Sequence, residues 1–235
     1  MIGLENRIPE EEPFKYSEYR VKNFTSAVEE ILDYADFDNG SSDEGYGDKN
    51  ICIIDIDGSL IENNLVKLPF LSKVVKPEVS SSSLTALQKL SRSFNGSVII
   101  STNRSKNEHR IFNSKEVLRV TREAAEKSGE SIPIFTDQFK QIPGKTKENV
   151  ALKGLYIEEG LSEKVLRPKT DSLIHYIGKR VTEKDIYKIT IFCIEDWSIV
   201  SLNRESYLRY VAKELKDEYG IDSKVVNFVI EGSIL

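Results

Sequence analysis

The run Asn50-Ile51-Cys52-Ile53-Ile54-Asp55-Ile56-Asp57-Gly58-Ser59-Leu60-Ile61 constrains the fold more than any other part of the chain. Apolar, β-favouring residues lead straight into an aspartate. A second aspartate follows two positions later, then a glycine. A buried strand that ends at a charged site has this form. Carboxylates at i and i+2 leave a strand on the same side. Held there they repel, unless a cation sits between them or one keeps a proton. Gly58 lets the backbone turn tightly away. The pair suits a hard cation with oxygen ligands, Mg²⁺ above all. It also offers one carboxylate as a nucleophile and one as an acid/base. A D-G turn alone is ordinary turn chemistry. The apolar strand leading into this one sets it apart.

At Asp55-Ile56-Asp57-Gly58-Ser59-Leu60 the chain resembles the haloacid dehalogenase (HAD) superfamily, whose first motif is an apolar strand followed by D-x-D-G-T/S-L/V. The resemblance implies that Asp55 attacks phosphorus and becomes an aspartyl phosphate. It implies that Asp57 protonates the leaving oxygen and then activates water. Three further elements are expected in order. Ser97-Val98-Ile99-Ile100-Ser101-Thr102-Asn103-Arg104 is an apolar strand ending in hydroxyls. Thr102 fits the family pattern better than Ser101, and alternation allows only one of them to face a site.

The third element is a cation at a helix start. Arg167-Pro168-Lys169-Thr170-Asp171 opens an amphipathic helix, with Pro168 and Asp171 as start signals and Leu173 and Ile177 on one face. The resemblance makes Lys169 the partner of Asp55 and of the phosphoryl group, with Arg167 as the alternative. The fourth element is Ile189-Thr190-Ile191-Phe192-Cys193-Ile194-Glu195-Asp196. By resemblance Asp196 completes a Mg²⁺ shell with Asp55 and Asp57, and Glu195 stands behind it. Adjacent strand residues point to opposite faces, so both acids reach one ion only if the strand has already ended.

The rest of the chain sets bounds. Its 235 residues suit one α/β domain with a sizeable core. There are 38 acids against 33 bases, a net charge of −5, which argues against nucleic acid as the main partner. No apolar run approaches membrane-spanning length, and Met1 to Pro13 has no secretory pattern. Two cysteines, Cys52 and Cys193, lie on expected core strands and read as reduced, which points to the cytoplasm; secretion independent of a signal peptide stays open. The two histidines have no zinc spacing. Gly144-Lys145-Thr146 lacks the upstream glycine and the strand of a P-loop.

Lys15 to Ala35 reads as a helix and Asp36 to Asn50 as a loop, so residues 1–49 are expected to form an appendage to a core of residues 50–235. Helices are expected from Ser80 to Phe94, from Ser114 to Ser128 and from Arg204 to Tyr219. Strands are expected at Ile132–Thr136 and Val225–Ile230, with a short one at Leu155–Glu158. Strands alternating with helices predict a doubly wound, Rossmann-like parallel sheet covered on both faces. Its ligand site belongs at the carboxyl ends of the strands.

The stretches Ser59–Val98 and Ser105–Leu166 leave little chain for a cap domain. The expected activity is a Mg²⁺-dependent phosphatase with an open site. Its expected substrate is a phosphoprotein, with phosphotyrosine preferred. A polynucleotide 3′-phosphatase and a small-metabolite phosphatase are the competing enzyme readings, and a non-catalytic HAD-like binding module is the reading from another class.

Overall fold

The structure, a computed structural model, describes residues 14–39, 49–56, 58–61, 77–105, 114–129, 132–137, 168–196 and 204–231. In chain order its elements are β1 (Lys15–Val21), α1 (Phe24–Asn39), β2 (Asn50–Ile54), α2 (Ser81–Ser93), β3 (Val98–Ser105) and α3 (Ser114–Lys127). The remainder are β4 (Ile134–Asp137), α4 (Pro168–Thr182), β5 (Lys188–Asp196), α5 (Arg204–Tyr219) and β6 (Asp222–Ile230). The expected strand at Leu155–Glu158 lies outside the described residues.

Among the described residues all pairings are parallel, and six strands run in the order β1-β6-β5-β2-β3-β4. Parallel crossovers are right-handed, so the direction of each step across the sheet decides which face its helix covers. The steps β1 to β2, β2 to β3 and β3 to β4 all go one way. Their helices share one core layer, with Val28 and Ile31 of α1, Leu87 and Leu90 of α2 and Val117 of α3 packed on Cys52, Ile54, Phe192 and Phe228. The steps β4 to β5 and β5 to β6 go back. Leu173 and Ile177 of α4 and Val211 and Leu215 of α5 accordingly pack on Ile51, Ile53, Ile191 and Val225, the opposite face. The expected doubly wound α/β sheet is what the chain forms. Among the described residues no helix is long and apolar enough to cross a membrane.

Lys15–Val21 is a strand, not the first part of the helix expected from Lys15 to Ala35. Apolar residues at helical spacing begin only at Phe24, whereas Tyr16, Tyr19 and Val21 are β-favouring types. Asn23 separates the two elements. Its side-chain oxygen accepts from the Ser26 backbone N–H at 2.9 Å, an N-cap that starts α1 there. Helix α1 then runs on to Asn39, into the stretch expected to be loop. Residues 15–39 belong to the same sheet and core as the strands and helices beyond residue 49. Strand β1 pairs with β6 along its whole length, and Ala27, Val28 and Ile31 are fully buried.

Helix α2 keeps close to its expected limits and is capped by Ser80, whose hydroxyl accepts from the Ser83 N–H at 3.1 Å. Helices α4 and α5 approach so closely that only glycine fits at position 178. A Cβ there would lie 2.6 Å from ring carbons of Tyr219, whose hydroxyl is 2.8 Å from His175 Nδ1. Gly178→Ala is therefore expected to destabilise by about 1–3 kcal/mol through overpacking, against a helix-propensity gain of about 1 kcal/mol. A urea midpoint at or above that of the parent would mean that Tyr219 swings out freely.

Candidate active site at the carboxyl edge of the sheet

Strand β2 lies at the centre of the sheet, and the strand order reverses beside it. From β2 the chain builds outward through β3 to β4 on one side; later it adds β5 and β6 on the other. Open α/β sheets bind ligands in the crevice at such a reversal, outside the carboxyl ends of the strands. Asp55 is the residue that leaves β2 at this point. Its backbone N–H still donates to Ile194 O at 2.9 Å, so the ladder to β5 persists one step beyond the strand. The side chain is half-buried. Gly58 takes φ 69°, the left-handed conformation that the expected tight turn needs. Asp57 lies outside the described residues.

The register fixes Asp55's neighbours. Ile54 pairs with Ile100 of β3 and with Ile194 of β5. One step further, Asp55 is flanked by Ser101 and Glu195, on strands about 4.8 Å away on either side. Ile99 and Cys193 belong to the layer under α4 and α5, as does Ile53. By alternation Ser101 and Glu195 belong to that face too. Ser101 is half-buried, as Glu195 is.

Thr102, the hydroxyl preferred from sequence, is one step further on and only 1% exposed. It follows Ile100, which belongs to the layer under α1, α2 and α3. The pairing thus places Ser101 level with Asp55 and Thr102 on the other face. Just past Thr102 the register between β3 and β4 shifts, a bulge at the edge where the site would be. Asp196 is the last residue of β5, level with Ile230, so the strand has not ended at Glu195. The Asp196 side chain lies outside the described residues.

Lys169 lies in the first turn of α4. The link from α4 to β5 is short, so α4 runs antiparallel to the strands and its first turn is at their carboxyl ends. The backbone of Lys169 is therefore at the same edge as Asp55; its side chain and all of Arg167 lie outside the described residues. Thr170, the next residue, carries no motif signal in the sequence, yet it is 7% exposed. Helical spacing is the signal that places it. Thr170, Ile174, Ile177 and Val181 form the inward stripe of α4.

The donors the edge offers are carboxylate oxygens and hydroxyls, a set that fits a hard cation such as Mg²⁺ and not a soft metal. Among the described residues no three acidic, cysteine or histidine side chains gather into a metal cluster. The expected ligand set draws on Asp57 and the Asp196 side chain, which are not among them. No protein-family model matches the chain, and no curated protein matches it.

Proposed function

We propose that the chain is a Mg²⁺-dependent phosphomonoesterase acting through an aspartyl phosphate on Asp55. One observation carries the reading. Asp55 leaves the central strand at the point where the sheet reverses, between a strand that carries hydroxyls and a strand that ends in acids, and Gly58 takes a left-handed turn shortly after it. The resemblance to the HAD superfamily supports it.

In this reading the Asp55 carboxylate attacks phosphorus as the ester oxygen leaves with a proton from Asp57. Asp57 then takes a proton from the water that attacks the aspartyl phosphate, which frees Asp55 and releases phosphate. A hydroxyl of β3, from Thr102 or Ser101, and the cation at the start of α4 hold the equatorial oxygens, where charge spreads in the transition state. Mg²⁺, held by Asp55, the Asp57 carbonyl and an acid at the end of β5, would offset the repulsion between Asp55 and the phosphoryl oxygens.

The proposed substrate is a phosphoprotein, with phosphotyrosine preferred. The rigid phenol carries its phosphate far from the peptide backbone, so less of the partner must enter the cleft. The test compares phosphotyrosyl and phosphoseryl peptides, a 3′-phosphorylated oligonucleotide and sugar phosphates, each with Mg²⁺ and with a chelator. Turnover should be fastest on the phosphotyrosyl peptide and vanish with the chelator. Faster release from the oligonucleotide would move the assignment to nucleic-acid ends, and faster release from a sugar phosphate to metabolites. Binding of phosphate with no turnover of any substrate would leave a binding module.

A further inference from the structure

We propose that the chain pairs with a second copy of itself through the outer edge of β1, the two strands running antiparallel with Tyr19 at the two-fold axis. The inference does not depend on the phosphatase reading.

Strand β1 is the outermost of the sheet on its side, and among the described residues its ladder is to β6 alone. That ladder fixes which backbone groups turn outward. The Val21 carbonyl accepts from the Glu231 N–H at 2.8 Å, so Val21 turns its backbone groups towards β6. In a parallel pair every second residue does so. Lys15, Ser17 and Tyr19 follow Val21, and Tyr16, Glu18 and Arg20 turn theirs to the outer edge. Such an edge is a template for another strand. Tyr19 marks the same edge. It is a large apolar side chain left 42% exposed. Its ring is held by stacking on Phe228 at 5.4 Å and by an edge-on contact with Tyr34 at 6.3 Å. A tyrosine fixed in this way and left at the surface is the kind of residue that interfaces favour.

Charges on an edge strand ordinarily prevent pairing. Their order in Lys15-Tyr16-Ser17-Glu18-Tyr19-Arg20-Val21 instead selects one register. A two-fold axis normal to the sheet keeps each face on its own side, so odd residues meet odd and even meet even. Centred on Glu18 or on Arg20, the pair would set like charges opposite each other, which destabilises. Centred on Ser17, it would set no acid opposite a base. Centred on Tyr19, it sets Glu18 opposite Arg20 of the second copy, and Arg20 opposite Glu18 of the second copy. The two Tyr19 rings then lie opposite each other on the face that α1 covers, an aromatic cross-strand pair. Both charged side chains can serve. Glu18 accepts from the Tyr16 hydroxyl at 2.8 Å, and a carboxylate has lone pairs for a second donor. Arg20 meets Glu231 at 3.6 Å on the surface, and a guanidinium has N–H groups for a second carboxylate. The opposite charges on this edge, spaced about Tyr19, fit a second copy of the chain. One strand pairing is a small interface, so the dimer is weak and its population depends on concentration.

The test is sedimentation equilibrium of the full chain over a range of concentrations, with two charge reversals. Glu18→Arg sets Arg opposite Arg, and Arg20→Glu sets Glu opposite Glu. Each alone should weaken dimerisation about tenfold or more. An equimolar mixture of the two variants restores an acid opposite a base at both positions, so it should associate about as tightly as the parent. Melting temperatures measured at concentrations where every form is monomeric should agree, because both side chains are exposed and the Arg20–Glu231 pair contributes little. A parent that stays monomeric at all concentrations would overturn the proposal. So would dimerisation that neither reversal weakens, which places the interface elsewhere, or folded variants that fail to associate when mixed.

Discussion

Asp55→Asn is expected to abolish hydrolysis of p-nitrophenyl phosphate while leaving the fold intact. Losing the nucleophile of a covalent mechanism costs roughly four to six orders of magnitude in kcat. The amide is isosteric with the carboxylate, so the packing at the end of β2 should not change. The N–H of residue 55 would still reach Ile194 O, since that bond belongs to the backbone. Removing one negative charge from an edge that also carries Glu195 relieves repulsion, so the melting temperature should hold or rise in the absence of Mg²⁺. The same change should weaken stabilisation by added Mg²⁺, since a ligand that binds only the folded state stabilises by mass action. A folded Asp55→Asn protein with substantial turnover would sink the covalent mechanism. Unchanged stabilisation by Mg²⁺ would remove Asp55 from the proposed metal set.

The architecture was legible wherever a strand is buried on both faces. Ile51 to Ile54, Val98 to Ile100 and Ile189 to Ile194 each read as continuous apolar runs, and they form the middle of the sheet. Strand β1 was not legible, because an edge strand need not be apolar. Its residues Lys15, Glu18, Tyr19 and Arg20 are exposed, and its partner β6 lies at the other end of the sequence.

The strand-end positions of the candidate residues were legible, but not the faces on which they lie. Motif order puts Asp55, the β3 hydroxyls and the β5 acids at one edge, and topology agrees. Which member of each adjacent pair stands beside Asp55 depends on register, a property of pairs of strands. Ile54 pairing with Ile100 and Ile194 sets Ser101 and Glu195 beside it, whereas the family pattern favours Thr102 and Asp196.

Phe192→Ala is expected to cost about 3–5 kcal/mol, the range for removing a large aromatic from a close-packed core. Phe192 is fully buried on β5. Its ring meets Tyr34 of α1 edge-on at 5.7 Å and Phe94, just after α2, at 5.7 Å. It thus joins the N-terminal segment, the helix that comes after the D-x-D turn and the strand that carries Glu195. Few substitutions could loosen three such elements at once. A domain stability of ~5–15 kcal/mol leaves little margin for that loss. Phe192→Leu, which fills most of the volume, should cost less. The urea midpoint should fall with a single transition and an unchanged slope, because α1 shares this core layer with α2 and β5. Hydrogen exchange locates the effect. Amides of α1 and of β5 should lose protection together if residues 15–39 unfold with the rest of the sheet. Protection lost in β5 but retained in α1 would show the N-terminal segment to be a separate cooperative unit, the appendage expected from its sequence.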